Sequence, residues 1–378
     1  MRAGIDQDPV HGAVVPPLHL SSNFSFAGLG EKRRYDYTRS GNPTRDALLG
    51  ALCDLEGAAG GLVTPSGMGA ISVLLSTLPV GAEVVAPADG YGGTWRLLHA
   101  WYRQGRLRLR LADTHDPDAL ATALGPDTAL LLLETPSNPL LRVTDVAAAV
   151  AAARARSPRA RVAADNTFLS PLLQRPLDLG CDYVLHSTTK YLNGHSDVVG
   201  GCVLAREDDA AAELSWWGNC LGVTGAPFDA WLTLRGLRTL ALRMRQHEDG
   251  ARAVAASLDG APAVLAVHWP GLGTHPGHAL ARRQQRGFGG MLSFELEGGL
   301  AAVAAFVDGL RCFTLAESLG GVESLVAHPA TMTHAAMDPE ARAAAGIGDG
   351  LLRLSVGLED PADLVADLAA GLARARSG

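Results

Sequence analysis

An α/β fold built on a mostly parallel sheet, with a smaller α/β segment after it, is what this 378-residue sequence predicts, and three observations predict it. Six short apolar runs between Glu83 and Ala205 alternate with helical stretches: Val84-Val85, Leu107 to Leu111, Leu130 to Leu133, Val162 to Ala164, Tyr183 to Leu185 and Cys202 to Leu204. Polar, chemistry-bearing residues follow these runs, at the edge where an open sheet presents its functional groups. Beyond residue 249 a strand-like stretch from Met291 to Glu297 and a helical one from Leu300 to Leu310 form a second set.

Length and composition bound the rest. The chain is too long for one ordinary core, and we divide it into an arm (1–42), a larger domain (43–248) and a C-terminal domain (249–378). Its net charge of -7 is spread without long runs of either sign, which argues against nucleic acid and anionic membranes as partners. No window approaches the ~20 apolar residues of a membrane helix. The five cysteines (Cys53, Cys181, Cys202, Cys220, Cys312) show neither disulfide nor metal-ligand spacing, so the expectation is reduced thiols in a cytoplasm and no metal.

In chain order, residues 1–42 lack sustained periodicity and hold Pro16-Pro17, Gly28 and Gly30, which reads as an extended arm lying on a partner subunit. Tyr37 and Arg39, two apart in that arm, suit a shared anion, although an ordinary surface loop is the plain alternative. A helix is expected from Pro43 to about Glu56, stopped by Gly57. A second opens at Ser66-Gly67-Met68-Gly69 and runs to Pro79; small residues there expose backbone N–H groups to a phosphate, while a simple Ser N-cap is the alternative.

After the runs come Tyr91-Gly92-Gly93-Thr94 with Arg96, then Glu134-Thr135-Pro136-Ser137-Asn138-Pro139, then Asp165-Asn166-Thr167-Phe168. Each could be turn chemistry alone, but several on one edge are less easily dismissed. The fifth run leads into Ser187-Thr188-Thr189-Lys190-Tyr191, an amine among hydroxyls that can take a phosphate while the amine bonds a carbonyl cofactor. Residues 213–226, with Trp216, Trp217 and Gly218, read as a packed turn, and Phe228 to about Leu258 as one long helical region. Farther on, Glu317 and Ser318 precede a flexible turn, and Arg353 sits in an alternating strand, where it needs an anionic partner from protein or ligand.

Together these segments resemble the transsulfuration family, the pyridoxal-phosphate enzymes of cysteine and methionine metabolism. The likeness runs from Tyr37-Thr38-Arg39-Ser40-Gly41-Asn42-Pro43-Thr44 to Arg353 and includes Asn193-Gly194-His195-Ser196-Asp197; Gly69, where many members carry alanine, is a departure expected to have no consequence. The resemblance implies a three-layer, aspartate aminotransferase-like (type I) fold, pyridoxal 5'-phosphate as cofactor, and a homotetramer built as a pair of dimers. It implies that Lys190 bonds the cofactor aldehyde and carries protons, that Asp165 pairs with the pyridine nitrogen, and that Tyr91 stacks on the ring with Asn138 near the phenolic oxygen. Gly67, Met68, Ser187 and Thr189 would hold the phosphate, joined by Tyr37 and Arg39 of the neighbouring subunit. Arg353 would take the substrate α-carboxylate with help from Ser318, and Asp36, Arg96 and Glu317 would handle the distal end. The implied reaction is γ-replacement, in which an O-acyl-L-homoserine, taken as O-succinyl, and L-cysteine give L-cystathionine. Cleavage of cystathionine at Cγ and sulfhydrylation of the acyl ester are the rivals, and a non-catalytic scaffold is disfavoured by the presence of Lys190 and Asp165.

Overall fold

The computed structural model describes Arg2, Asp8 and residues 10–335 and 339–376. Its elements run α1 (Pro43–Glu56), β1 (Gly60–Thr64), α2 (Gly67–Ser76), β2 (Ala82–Pro87), α3 (Gly92–Arg103), β3 (Leu107–Ala112), α4 (Pro117–Ala123), β4 (Thr128–Glu134), α5 (Val146–Arg156) and β5 (Arg161–Asp165). Then follow α6 (Ser170–Leu173), β6 (Tyr183–His186), β7 (Gly201–Ala205), α7 (Asp208–Leu221), α8 (Pro227–Leu237), α9 (Leu240–Leu258), β8 (Val264–His268), α10 (His278–Gln284), β9 (Met291–Leu296) and α11 (Gly299–Val307). The chain closes with β10 (Phe313–Leu315), β11 (Ser324–Ala327), α12 (Pro339–Ala344), β12 (Leu351–Ser355) and α13 (Pro361–Ala375). It divides into two compact units, Met1–Pro79 with Arg175–Leu240, and Val80–Gln174 with Ala241–Gly378. No described helix is long and apolar enough to cross a membrane, and no described cysteine is in a disulfide.

The first unit carries the strands β1-β7-β6, antiparallel at both pairings. Helix α1 starts where Asn42 takes the N–H groups of Thr44 and Arg45 at 2.9 and 3.3 Å, with Pro43 at the first helical position. It stops at Gly57, whose φ of 74° a side chain would strain. Buried Glu56 at its end meets His186 Nε2 at 2.6 Å, which fixes the last residue of β6 just before Ser187. On β7, a Cβ at Gly201 would collide with the carbonyl of Ser66 and come within 2.6 Å of the Gly67 nitrogen. Glycine there lets the start of α2 settle against the sheet.

The second unit carries β5-β4-β2-β3, parallel throughout, and a five-stranded sheet, β10-β11-β12-β9-β8. Strands β2, β4 and β5 are buried at nearly every position, while the edge strand β3 sends out Arg108 and Arg110, whose guanidinium groups approach Glu83 at 3.9 and 3.1 Å. Around the smaller sheet Trp269, Phe294, Phe306, Leu352 and Leu354 form one apolar core, with the Trp269 indole N–H on the Gly289 carbonyl at 3.2 Å.

Three expectations are corrected. The expected turn at 213–226 is mostly helix α7, ended by Gly222 at φ 71°. Gly218 is no breaker: a Cβ there would strike the Leu62 side chain, so the glycine serves close packing of α7 on β1, and Trp216 stays 60% exposed. The long helical region is two helices, α8 and α9, parted at Arg238 and Thr239. Strand β12 does not alternate; all five residues are buried, because both of its faces are covered.

Candidate active site

In the first unit the residues expected at the cofactor phosphate and aldehyde cluster around α2 and the turn after β6. Ser66 caps α2 through its hydroxyl, which takes the Gly69 N–H at 3.0 Å and leaves the earlier N–H groups of Gly67 and Met68 beyond the helix's own bonding pattern. A Cβ on Gly67 would lie 2.9 Å from the Ser187 Cβ, so glycine is what lets the helix start and the Ser187 turn pack. The plain N-cap and the anion-binding helix start are therefore not rivals: one hydroxyl caps, and the N–H groups before it remain for an anion. Thr189 is tied to the backbone by the Gly200 N–H at 2.9 Å and the Gly200 carbonyl at 3.2 Å, so its hydroxyl orients through β7's approach. Lys190, half-buried, follows in the same turn, with its N–H on the Ser187 carbonyl at 3.3 Å and its carbonyl taking the Gly194 N–H at 2.8 Å.

Tyr37 and Arg39 stand in a turn of the arm, with the guanidinium 5.6 Å from the Tyr37 ring centre. Helix α1 holds that turn: Arg45 donates to the Thr38 carbonyl at 2.6 Å, and Asn42 to the Thr38 hydroxyl at 3.2 Å. Asp36, expected with Arg96 and Glu317, belongs to this unit, where Lys32 at 2.8 Å and the Ser40 hydroxyl at 2.7 Å bind its carboxylate and hold it down to a pKa of about 2.

In the second unit Asp165 ends a strand and Tyr91 starts a helix, whereas Arg96 lies within α3, Asn138 and Glu317-Ser318 in the loops after β4 and β10, and Arg353 within β12. Asp165 ends β5 and accepts the N–H and hydroxyl of Thr167 at 3.0 and 2.6 Å, which fixes one carboxylate oxygen. Tyr91 precedes α3, and its N–H is held by Glu134 at 2.8 Å. Burial pushes the Tyr91 phenol above its ordinary pKa; Arg96 and Arg353 pull it down, and Glu317 and Glu134 add to the rise. Arg96, Glu317 and Arg353 are thus close enough to the phenol for their charges to act on it.

Arg353, 2% exposed, donates to the Asn138 side-chain oxygen at 2.9 Å and to the Ser318 carbonyl at 2.9 Å. Ser318 has a φ of 83°, a left-handed conformation that costs a serine of order 1–3 kcal/mol and turns its carbonyl onto the arginine. His334, which the sequence reading passed over, gives its Nε2–H to the Asn138 carbonyl at 3.1 Å. A lone histidine carries no motif, and nothing short of the fold marks it. Glu134 opens the candidate stretch after β4 with no role of its own expected, and it binds the backbone of both Tyr91 and Asn138.

Comparison with known proteins gives the family. A family described as Cys/Met metabolism PLP-dependent enzyme matches residues 1–373. The cystathionine gamma-synthase of Escherichia coli (strain K12) is 52% identical over 379 residues, covering 100% of this chain and 98% of that protein. The cystathionine beta-lyase of Lactococcus lactis subsp. cremoris (strain MG1363) is 45% identical over 97% of this chain and 96% of its own. The crystal structure of cystathionine gamma synthase from Xanthomonas oryzae pv. oryzae in complex with cystathionine superimposes with a TM-score of 0.98 at 63% identity, covering 100% of this chain and 97% of that one. In sequence over nearly its whole length, and in fold, this chain belongs to the family of PLP-dependent enzymes of cysteine and methionine metabolism.

Proposed function

We propose that the chain catalyses γ-replacement, joining O-succinyl-L-homoserine to L-cysteine with release of succinate to give L-cystathionine. The observation that carries this is the set of charges acting on Tyr91: two guanidinium groups, Arg96 and Arg353, and two carboxylates, of which Glu134 is engaged by the backbone N–H groups of Tyr91 and Asn138 and Glu317 is exposed. The ester has a carboxylate at each end, and the incoming cysteine brings an ammonium group. The two cations suit the carboxylates of the ester and Glu317 suits the ammonium group, and the likeness to cystathionine gamma-synthases supports the reading.

The residues fit pyridoxal 5'-phosphate. The glycine-lined start of α2 against Ser187 and Gly201 admits an anion to backbone N–H groups where side chains would not fit. Gly67, Met68, Ser187 and Thr189 would hold the phosphate, Asp165 the pyridine nitrogen, and Lys190 the aldehyde carbon, with Tyr91 against the ring and Asn138 beside its oxygen. When bound, the cofactor supplies an electron sink for carbanion chemistry at the substrate.

The chain's own groups do the rest. Arg353, aimed by Asn138 and Ser318, takes the α-carboxylate. Lys190 Nζ, as the free amine, accepts the proton from Cα, gives it up again, and only then accepts one from Cβ, after which the succinate carboxylate departs from Cγ. Arg96 holds the succinyl terminus until then. Glu317 receives the ammonium group of cysteine, whose thiolate attacks Cγ, and Lys190 returns protons to Cβ and Cα.

Residues 1–42 would act on a neighbouring subunit, bringing Tyr37 and Arg39 to its phosphate within a homotetramer of paired dimers. The arm's exposed apolar residues support this: Val10, Val14, Leu20 and Leu29 are 76%, 62%, 66% and 107% exposed. Residues 43–248 would carry the cofactor and 249–378 the second domain, in a protein of the cytoplasm. Cleavage of cystathionine at Cγ is the second reading, supported by likeness to the cystathionine gamma-lyase of Lactobacillus plantarum at 41% identity.

The test is product analysis by mass after supplying O-succinyl-homoserine with and without cysteine, and cystathionine alone. Cystathionine and succinate in equal amounts, formed faster than any cleavage of cystathionine, is the expected outcome. Faster cleavage of cystathionine would replace the proposal with a lyase.

A further inference from the structure

Glu134 ends β4 and Asp165 ends β5, and the parallel register sets them opposite one another. In-register residues of neighbouring strands project from one face, so two carboxylates stand side by side, a repulsive arrangement unless each is held elsewhere. Burial raises the Glu134 carboxyl well above its ordinary pKa, and Asp165 and buried Asp89 add to the rise; the N–H groups of Tyr91 and Asn138 oppose it. These two N–H groups are divided between its oxygens: Tyr91 N lies 2.8 Å from Oε2 and Asn138 N 3.0 Å from Oε1. The two donors are 47 residues apart in sequence (138 - 91 = 47) and stand in the loops after β2 and β4.

Little else of the local backbone is rigid by composition. Tyr91 lies between Gly90 and Gly92 and precedes α3 without a side-chain cap. A Cβ on Gly92 would come within 2.8 Å of the Thr333 carbonyl, so the close approach needs glycine and the constraint must come from elsewhere.

We propose that Glu134 is the positioning residue that sets Tyr91 and Asn138 relative to one another, one carboxylate oxygen to each backbone N–H. Asn138 in turn accepts from Arg353 at 2.9 Å, so the same carboxylate fixes both the aromatic ring and, through Asn138, the arginine. The inference rests on the reading of Tyr91 and Asn138 given under the proposed function, and it explains why a carboxylate rather than an amide ends β4. A glutamine offers one acceptor oxygen, and its NH2 would face the other N–H.

The experiment compares wild type with Glu134→Gln, which keeps the shape, and with Glu134→Ala. Amide hydrogen exchange at Tyr91 and Asn138 is followed in the chain without cofactor, and pyridoxal-phosphate affinity by titration of that chain. Visible circular dichroism of the bound cofactor and steady-state kinetics are measured on the loaded enzyme. In Glu134→Gln at least one of the two amides should exchange about tenfold faster, with core amides of β9 unchanged. The cofactor's circular dichroism should weaken, and kcat should fall about tenfold or more with the KM of the ester within about threefold. Both amides keeping wild-type protection would overturn the proposal. So would unchanged kcat and dichroism with only a lower Tm, which is what a purely structural role gives. A wild type that makes no cystathionine, while the amides loosen in Glu134→Gln, would reject the γ-replacement reading and uphold this one.

Discussion

Arg353 donates to the side-chain oxygen of Asn138 at 2.9 Å, which makes a residue of the loop after β4 the aiming point for a cation on β12. A second bond of the cation goes to the Ser318 carbonyl, so two loops far apart in sequence help set one guanidinium. Asn138→Ala removes one charge-assisted acceptor, an interaction of about 1.5–3 kcal/mol, and should raise the KM for the ester about tenfold or more. Steady-state kinetics checks this. A fall in kcat with KM unchanged would show that the bond does not serve carboxylate binding.

His334 makes a pH prediction. Burial and the Arg353 charge lower its pKa from 6.5 to about 4, and its Nε2–H stays on the Asn138 carbonyl. The unfolded chain then takes up its proton at higher pH than the folded one, so the contribution to stability is whole above pH 6.5 and is lost as pH falls toward about 4. His247 and His275, also lowered to about 4 chiefly by burial, act in the same direction. Tm measured from pH 7 to 4 should fall more steeply for wild type than for His334→Gln; parallel curves would contradict the assignment.

Local rules made much of the fold legible. Asn42, Pro43 and Gly57 bound α1 as read, and the apolar runs mark β2 and β4 to β7 because strands buried on both faces need them, while the edge strand β3 shows as leucines alternating with arginines. Strand β1 was missed since Gly60-Gly61 looks like a loop, and Gly61 instead fits where a Cβ would collide with the Val203 carbonyl of β7. Gly218 misled for the same reason: a glycine serving close packing and one making a turn look alike in sequence. At the candidate site, Lys190 and Asp165 stood out through their neighbours, whereas Glu134 did not. Its bond to Tyr91 spans 43 residues, and no local pattern encodes such a contact.

Glu317, if it reads the second amino acid as proposed, should separate cysteine from sulfide as nucleophile. It is exposed, which limits its pairing energy with an ammonium group to about 1 kcal/mol. Glu317→Ala should therefore raise the KM for cysteine about fivefold and leave sulfide, which has no ammonium group, nearly unchanged. Assays of both nucleophiles at one ester concentration decide it; equal losses would show general support of the site.

The arm makes a prediction about assembly. An inactive Arg39→Ala chain mixed with an inactive Lys190→Ala chain should regain activity, because some mixed sites receive both intact residues. No recovery from verified mixed oligomers would mean that the arm serves its own chain.

The central claim is that one amine, Lys190, moves the protons at Cα and Cβ. Run in D2O, wild type should yield cystathionine carrying deuterium at both carbons, and O-succinyl-homoserine without cysteine should exchange its α-hydrogen. Lys190→Ala, reloaded with cofactor, should lose both exchange and product by a factor of about 10³ or more. Exchange at either carbon persisting in Lys190→Ala near the wild-type rate would contradict the account.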